Sequence, residues 1–232
     1  MRSNDFETGI WHPNESDYET MKIETIHNLT LINTDCMEYM KGCKDNEFDL
    51  AIVDPPYGIG NFSQSDAVHK NVNWNNSIPP DEYFAELKRV SVHRIIWGAN
   101  YYNCFEGENG AIVWYKNVGH PDMSHCEIAS MSKGKRVGYV HINWSGGVKT
   151  SQKIPTIHPC QKPVKLYDWL LTNYAEKGQK ILDTHGGSFS SAIAAHYFGV
   201  EYVGIEIDKD YFEAGVNRVK EQTKQIDLFR QG

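Results

Sequence analysis

From residue 163 onward, predicted strands alternate with predicted helices, and no other feature of the chain constrains its fold as strongly. Apolar residues recur at helical spacing from Val164 to Tyr174, and short apolar runs without that period follow. The predicted helices cover 163–176, 187–198 and 208–224, and the predicted strands cover 180–184 and 201–207. Strands that alternate with helices in this way form βαβ units, so the sequence predicts an α/β protein with a parallel sheet.

The first 162 residues continue the pattern with less regularity. Residues 1–28 are polar and aperiodic, and we predict a loose arm there. Residues 58–80 and 145–157 are predicted loops, and a loop as long as the first is more often functional than not. The predicted strands cover 29–35, 48–54, 93–98 and 111–115, with two further apolar runs at 126–131 and 137–144, and the predicted helices cover 36–42 and 81–90.

Acidic residues stand where several predicted strands end. Asp54, Asp183 and Glu206 each lie at such an end, and Asp35 is a fourth candidate. In open α/β sheets, ligands bind beyond the carboxyl ends of the strands. The sequence therefore predicts that these carboxylates share one ligand site.

The segment Asp54-Pro55-Pro56-Tyr57 follows a buried apolar strand. Proline holds φ at about −65° and favours an extended residue before it, so a rigid corner is predicted. That corner presents a carboxylate, a proline carbonyl and an aromatic ring. Two adjacent acceptors suit a planar amino group, and the ring suits a stacked heterocycle. A plain proline turn is the alternative interpretation of so short a motif.

A Gly-rich turn joins the strand that ends at Asp183 to the next helix. Gly186 and Gly187 allow a ligand to approach the backbone closely, and the helix N-terminus favours an anionic group. Glu206 follows Asp183 at about the 20-residue spacing that ribose-binding acidic residues show in Rossmann-type sheets, with Asp208 as a competitor. A strand-to-helix turn without a ligand is the alternative interpretation, and G-x-G-x-x-G is absent.

Four motifs occur in the order D-P-P-Y, H-P-C-Q-K-P, I-L-D-T-H-G-G-S and V-G-I-E-I-D. Together they resemble the amino-group DNA methyltransferases of the permuted, beta-class order, which use S-adenosylmethionine. The resemblance runs from about residue 29 to about residue 222. It implies a circularly permuted, Rossmann-like methyltransferase fold, with a mixed, mostly parallel sheet and helices on both faces.

The resemblance also implies a role for particular residues. Asp54 and the carbonyl of Pro55 accept the two hydrogens of the target amine, and Tyr57 stacks on a base flipped out of double-stranded DNA. The implied catalytic residues are Asp54, Pro55, Pro56 and Tyr57. The implied cofactor-binding residues are Asp35 and Cys36 near the adenine, Glu206 at the ribose, Asp183, Thr184, Gly187 and Ser188 at the methionine end, and His158, Gln161 and Lys162 closing that end.

The implied function is site-specific transfer of a methyl group from S-adenosylmethionine to an exocyclic amine of DNA, as in restriction-modification. An Asp at position 54 favours adenine N6, because the cytosine enzymes of the family often carry Ser there. Three alternatives stay open: cytosine N4 methylation, an amine in RNA or protein, and a binding module without catalysis.

The Gly-rich turn departs from the family pattern P-F-x-G-S-G. His185 stands in place of the aromatic residue, and Phe189 stands in place of the last glycine. Phe189 is expected either to crowd the cofactor or to turn into the core. Gly186 is expected to restore part of the lost backbone freedom.

A single domain is predicted over 29–232, divided into a catalytic half (29–130), a short target-contact region (131–157) and a cofactor half (158–232). The net charge of −7 argues against DNA, but residues 111–165 carry a net charge of +6. A basic face of this kind can steer a phosphate backbone, although solvated lysines are the alternative. The predicted DNA-binding residues are Lys133, Lys135, Arg136, Lys149 and Lys153.

Composition restricts the cellular setting. The five cysteines are scattered and odd in number, which favours a reducing compartment, and no metal-ligand spacing occurs. The start has no secretory-signal pattern, and no apolar run is long enough to span a membrane. We therefore expect a cytoplasmic protein without a metal, and a homodimer stays open.

Overall fold

The structure, a computed structural model, describes residues 21–60, 74–105, 110–117, 124–144 and 156–224. Its strands are β1 (Lys22–Ile26), β2 (Leu29–Asn33), β3 (Phe48–Val53), β4 (Ser91–Trp97), β5 (Gly110–Tyr115), β6 (Cys126–Met131), β7 (Val137–His141), β8 (Lys180–Asp183) and β9 (Glu201–Glu206). Its helices are α1 (Cys36–Gly42), α2 (Asp81–Val90), α3 (Ala99–Tyr102), α4 (Val164–Tyr174), α5 (Ser190–Phe198) and α6 (Lys209–Thr223), with a 3₁₀ turn at Trp74–Asn76.

The described strands form one sheet in the order β1-β2-β9-β8-β3-β4-β6-β5-β7. The central strands β2, β9, β8, β3 and β4 run parallel to one another, while β1 and β6 run antiparallel to their neighbours in that set. The late strands β8 and β9 lie between the early strands β2 and β3. The cofactor half and the catalytic half therefore share one sheet, and the predicted permuted, mostly parallel α/β fold is confirmed.

Helices pack on both faces of the sheet. Successive strand residues point to opposite faces, so each of the central strands contributes to two core clusters. In β3, Leu50 and Ile52 belong to one core cluster, together with residues of α4, α5 and α6. Ala51 and Val53 belong to a second cluster, together with residues of α1 and α2. This two-sided burial explains why β3 is apolar at every position from Leu50 to Val53.

Most elements match the sequence prediction to within a few residues, and α2 matches at both ends. The predicted loose arm is wrong at its end, because residues 22–26 form β1. This strand pairs with β2 at the sheet edge, and of its residues only Ile26 is buried. None of the described helices is long and apolar enough to cross a membrane.

Candidate functional site

The four predicted carboxylates meet at one edge of the sheet, which we call the carboxyl edge. Strands β2, β9, β8 and β3 are adjacent and parallel, so their last residues lie side by side. Asp183 and Glu206 end β8 and β9, Asp54 follows β3, and Asp35 follows β2. The predicted convergence is therefore present in the structure.

Internal donors already occupy the acceptors of the Asp54-Pro55 corner. The hydroxyl of Tyr57 donates to Oδ1 of Asp54 over 2.6 Å, and the ammonium of Lys162 donates to Oδ2. The hydroxyl of Tyr102 donates to the carbonyls of Pro55 and Pro56, the latter over 2.9 Å. The corner is thus held by Tyr57 of its own segment and by side chains from two other segments of the chain.

The ring of Tyr57 lies in an aromatic group. It stacks on Tyr101 at 4.8 Å with an interplanar angle of 17°, and the edge of Tyr102 approaches it at 6.1 Å. Gly98 makes this position possible, because a Cβ there would lie 2.4 Å from the Tyr57 ring. Its φ of 77° also favours glycine.

Four buried or half-buried charged side chains contact one another in a row that ends at Asp54. Lys116 contacts Glu127 at 2.8 Å, Glu127 contacts Lys162 at 3.2 Å, and Lys162 contacts Asp54. We call this set the four-charge chain. Its formal charges cancel, as charges removed from water require.

Burial and pairing shift the pKa values within this chain in different directions. Burial raises the pKa of Asp54, and the ammonium of Lys162 opposes that shift. Burial works against the charge of Lys162, but Asp54 and Glu127 outweigh it and hold the pKa of Lys162 above its usual value. Burial likewise works against the charge of Glu127, but Lys162 and Lys116 keep its pKa below its usual value. Glu127 and Lys162, in the middle of the four-charge chain, therefore form an ion pair at neutral pH.

A cavity of about 250 Å³ opens beside this corner at the carboxyl edge. We call it the strand-end cavity. The predicted residues Asp35, Cys36, Thr184 and Glu206 line it, and so does Pro56 of the D-P-P-Y segment. Tyr83, His185 and Ile207 also line it. One cavity thus joins the residues predicted for the cofactor to the segment predicted for catalysis.

Glu206 links the strand-end cavity to the Gly-rich turn. Its Oε2 accepts from the N–H of Gly187 over 2.8 Å, and its Oε1 accepts from the N–H of Asp208 over 2.8 Å. Burial raises the pKa of Glu206 to about 7, against the lowering effect of those N–H groups. A carboxylate accepts about four hydrogen bonds, so two sites remain for ribose hydroxyls.

Asp183 is bound on both oxygens by the protein itself. Oδ2 accepts from Ser191 over 2.6 Å and from Tyr202 over 3.2 Å, and Oδ1 accepts from the N–H of His185 over 3.1 Å. Burial raises the pKa of Asp183 to about 6 despite these bonds. Asp183 therefore connects the Gly-rich turn to the start of α5 through hydrogen bonds.

Phe189 is turned into the core and does not crowd the cavity. Its side chain is fully buried and meets the edge of Phe212 at 6.1 Å. Glycines surround the ring, since a Cβ on Gly186, Gly204 or Gly215 would lie within 2.9 Å of it. Gly186 therefore provides space for the ring and not the backbone freedom that the sequence suggested. Phe189 itself has a φ of 52°, which a side chain disfavours.

The H-P-C-Q-K-P segment packs over the Gly-rich turn. A Cβ on Gly187 would lie 3.3 Å from Nδ1 of His158, so the imidazole covers that glycine. Gln161 is buried, and its Oε1 accepts from the N–H of Ile157 over 3.2 Å while its carbonyl accepts from Trp144 over 2.8 Å. Lys162 differs from its predicted cofactor role, because its ammonium contacts the catalytic corner.

The predicted DNA-binding residues Lys133, Lys135 and Arg136 follow β6, and none of them lines the strand-end cavity. Strand β6 runs antiparallel to β4, and its last residue, Met131, pairs with Ile95, two residues before β4 ends. Beyond this strand end, Lys133 donates to the carbonyl of Tyr174 over 3.1 Å. Lys149 and Lys153 lie outside the described residues.

Sequence reasoning missed Glu127, Tyr83 and the hydroxyl of Tyr102. Glu127 lies in a β-strand whose neighbour in space, Lys162, is 35 positions away in the chain. Tyr83 occupies an apolar position of α2, where a core residue is the usual interpretation. The contacts of Tyr102 with the carbonyls of Pro55 and Pro56 join residues that are 47 and 46 positions apart in the chain.

Comparisons with known proteins agree with this geometry. A family model described as DNA methylase matches residues 112–217. The chain is 27% identical over 207 residues to YubD of Escherichia coli (strain K12), named as a methylase, covering 81% of this chain and 88% of YubD. It is 23% identical to the type II methyltransferase M.HpaI of Haemophilus parainfluenzae, covering 85% and 76% of the two chains.

The fold also matches a solved structure. The M1.HpyAVI–SAM complex superposes with a TM-score of 0.53 at 20% identity, covering 82% of this chain and 99% of that chain.

Proposed function

Because the chain belongs to the S-adenosylmethionine-dependent amino DNA methyltransferases, we propose that it methylates the exocyclic amine of a base flipped out of double-stranded DNA, adenine N6 being favoured. One observation carries the proposal: the strand-end cavity shares Pro56 with the segment that presents Asp54 and the Pro55 carbonyl. A nucleoside cofactor and a target amine would therefore meet at this corner.

The strand-end cavity suits the nucleoside half of S-adenosylmethionine. Asp35 and Glu206 are acceptors for amino and hydroxyl hydrogens, and Ile207 offers an apolar surface. S-adenosylmethionine supplies an electrophilic sulfonium methyl when bound. His158, Gly187 and Ser188 lie at the turn where its methionine end is predicted. The inward position of Phe189 supports cofactor binding, since the ring does not occupy the strand-end cavity.

Asp54 and the carbonyl of Pro55 would orient the target amine. The lone pair of such an amine is delocalised into its ring, and hydrogen bonds to both acceptors favour the pyramidal geometry from which it attacks. Those bonds strengthen as positive charge develops on the nitrogen, so they lower the barrier. Lys162 can stay in place, because a carboxylate oxygen accepts more than one hydrogen bond.

Tyr57 would stack on the flipped base. Its ring is held from one side by Tyr101 and has Lys162 at 5.7 Å from its centroid. A rigid ring makes a stacking surface at little entropic cost. The stacking contact contributes about 1–3 kcal/mol in comparable base–aromatic contacts.

Replacement of Asp54 tests the proposal. D54A should abolish transfer of the methyl group to DNA while leaving S-adenosylmethionine affinity within a few-fold of the parent chain. The exposed Asp81→Ala change is a matched control and should leave both unchanged. Methyl transfer by D54A at the parental rate would contradict the mechanism.

The methylated nucleoside distinguishes the open alternatives. Chromatography of hydrolysed DNA separates N6-methyladenine from N4-methylcytosine, and an Asp at position 54 favours the first. Sequencing of genomic DNA from cells that express the chain gives the target context. Calorimetric binding of S-adenosylmethionine without transfer to any nucleic acid would instead identify a binding module.

Three further assignments complete the proposal. We expect the protein in the cytoplasm, where thiols stay reduced, since no disulfide joins any of its five cysteines, all of which are described. A homodimer is the assembly to test, by light scattering on the purified chain. A co-expressed restriction nuclease that this chain's methylation blocks would place it in a restriction-modification pair.

A further inference from the structure

His185 lies in the strand-end cavity at the position where the family pattern has an aromatic residue. Its Nδ1 lies 2.9 Å from Oγ1 of Thr184, which lies 2.6 Å from the hydroxyl of Tyr83. The edge of the Tyr83 ring also packs on the imidazole at 5.5 Å. Three consecutive polar groups thus connect the buried face of α2 to the cavity.

Burial determines the donor and the acceptor of each hydrogen bond between Tyr83, Thr184 and His185. Tyr83 is 1% exposed, and its hydroxyl has one hydrogen-bond partner within the described residues, Thr184. A buried hydroxyl hydrogen without an acceptor costs about 1–3 kcal/mol, so Tyr83 donates to Thr184. The hydroxyl of Thr184 then donates its own hydrogen bond to Nδ1 of His185. A neutral imidazole that accepts at Nδ1 carries its hydrogen on Nε2.

The imidazole is neutral at physiological pH. Burial lowers the pKa of His185 to about 4, although the carboxylate of Asp35 opposes that shift. Nε2 makes no hydrogen bond to another described residue, and it is not sealed from the cavity. The ring therefore presents one N–H donor to whatever occupies the cavity.

We propose that His185 binds the cofactor directly, with its Nε2–H donating a hydrogen bond to an acceptor atom of the nucleoside of S-adenosylmethionine. Tyr83 and Thr184 are positioning residues, because they set the tautomer and orientation of the ring. The inference rests on the proposed function and adds a residue that the family pattern lacks. It also completes the chemistry of the cavity, since Asp35 and Glu206 can only accept when ionised.

The tautomer can be measured without any ligand. Long-range ¹⁵N–¹H correlation spectra of the free protein should show His185 as the Nε2–H form. T184V should abolish that preference, and T184S, which keeps the hydroxyl, should restore it. An Nδ1–H ring in the parent chain would overturn the inference whatever the enzyme's activity.

The donor can be tested by calorimetry with S-adenosylhomocysteine, the demethylated product. H185F keeps the ring and removes the N–H, so it should weaken binding by about 3- to 15-fold. H93F is the control, because His93 lies in β4 away from the cavity, and it should bind like the parent.

Two contrary results have different meanings. If the parent chain binds S-adenosylhomocysteine and H185F binds it equally well or better, the inference fails and the proposed function stands. If the parent chain binds neither S-adenosylhomocysteine nor S-adenosylmethionine, the proposed function itself fails, and the inference fails with it.

Discussion

The ammonium of Lys162 lies against the carboxylate of Asp54, although 108 positions separate the two residues in the chain. Asp54 follows β3, and Lys162 belongs to the segment just before α4. The H-P-C-Q-K-P segment thus contributes to both proposed sites, since His158 covers the Gly-rich turn and Lys162 reaches the catalytic corner.

Removal of the Lys162 charge should impair catalysis and shift its pH dependence. K162M leaves Asp54 and Glu127 without their shared cation, so the pKa of Asp54 rises further. Asp54 then becomes ionised only at higher pH, and the acidic limb of the kcat profile should move upward in pH. We expect kcat at pH 7 to fall at least about tenfold, with about 3–5 kcal/mol lost from the free energy of unfolding.

Two variants make this result interpretable. K162R keeps the charge and should keep the fold and most of the pH profile. K165M removes an exposed lysine three positions later and should change neither kcat nor its pH dependence. A folded K162M enzyme with an unshifted pH profile would show that Lys162 does not control Asp54.

Cofactor affinity should increase as pH rises through about 7. Burial raises the pKa of Glu206 to about 7, so the carboxylate that would accept ribose hydroxyls forms only near neutral pH. Between pH 6 and 8 its ionised fraction rises about tenfold, and the association constant for S-adenosylhomocysteine should follow. E206Q should bind more weakly and lose this dependence. An equal slope in E206Q would assign the proton to another group.

The same burial makes a prediction about stability. Asp183 and Glu206 have folded-state pKa values raised to about 6 and about 7, above those of exposed carboxyls. Their contribution to stability is therefore fully present at pH 4 and below, and it is lost as pH rises toward 7. In E206Q, urea unfolding should show a smaller loss of stability between pH 5 and 8 than in the parent. An identical pH dependence in both proteins would contradict the raised pKa of Glu206.

Phe189 should reverse the usual ranking of alanine and glycine. Truncation of the buried ring costs about 3–5 kcal/mol in either case. Because φ is 52° at this position, F189G should be more stable than F189A by about 1 kcal/mol. Phe212 in α6 is the control, where F212G should be less stable than F212A by about 1 kcal/mol. Urea unfolding of the four variants measures both differences.

The basic residues that follow β6 should not contribute to DNA binding, because none of them lines the strand-end cavity. K135A/R136A should leave the dissociation constant for duplex DNA and its salt dependence unchanged within about twofold. K149A/K153A changes the two basic residues of the predicted target-contact region that remain candidates, and it should weaken binding and reduce the salt slope by up to about two charges. An equal loss of DNA affinity in both double variants would instead show that Lys135 and Arg136 bind DNA, as the sequence predicts.

Prediction from sequence succeeded where local chemistry decides the outcome. The apolar run of β3 and the amphipathic period of α2 specify their elements without knowledge of their neighbours. Strand β1 was missed because local chemistry does not decide it. It is mostly exposed and is ordered by pairing with β2. Its residues carry little of the apolar signal on which such predictions depend.

The sequence by itself determined that this chain is an α/β protein whose acidic strand ends share one edge, because apolar patterning and parallel connections require that arrangement. Only the tertiary structure decided that Lys162 contacts Asp54, that Phe189 faces the core, and that Lys133 contacts the end of α4. These outcomes depend on the strand order and on the antiparallel direction of β6. The energy of pairing distant segments, and of burying charges between them, is set by contacts that no local stretch of sequence contains.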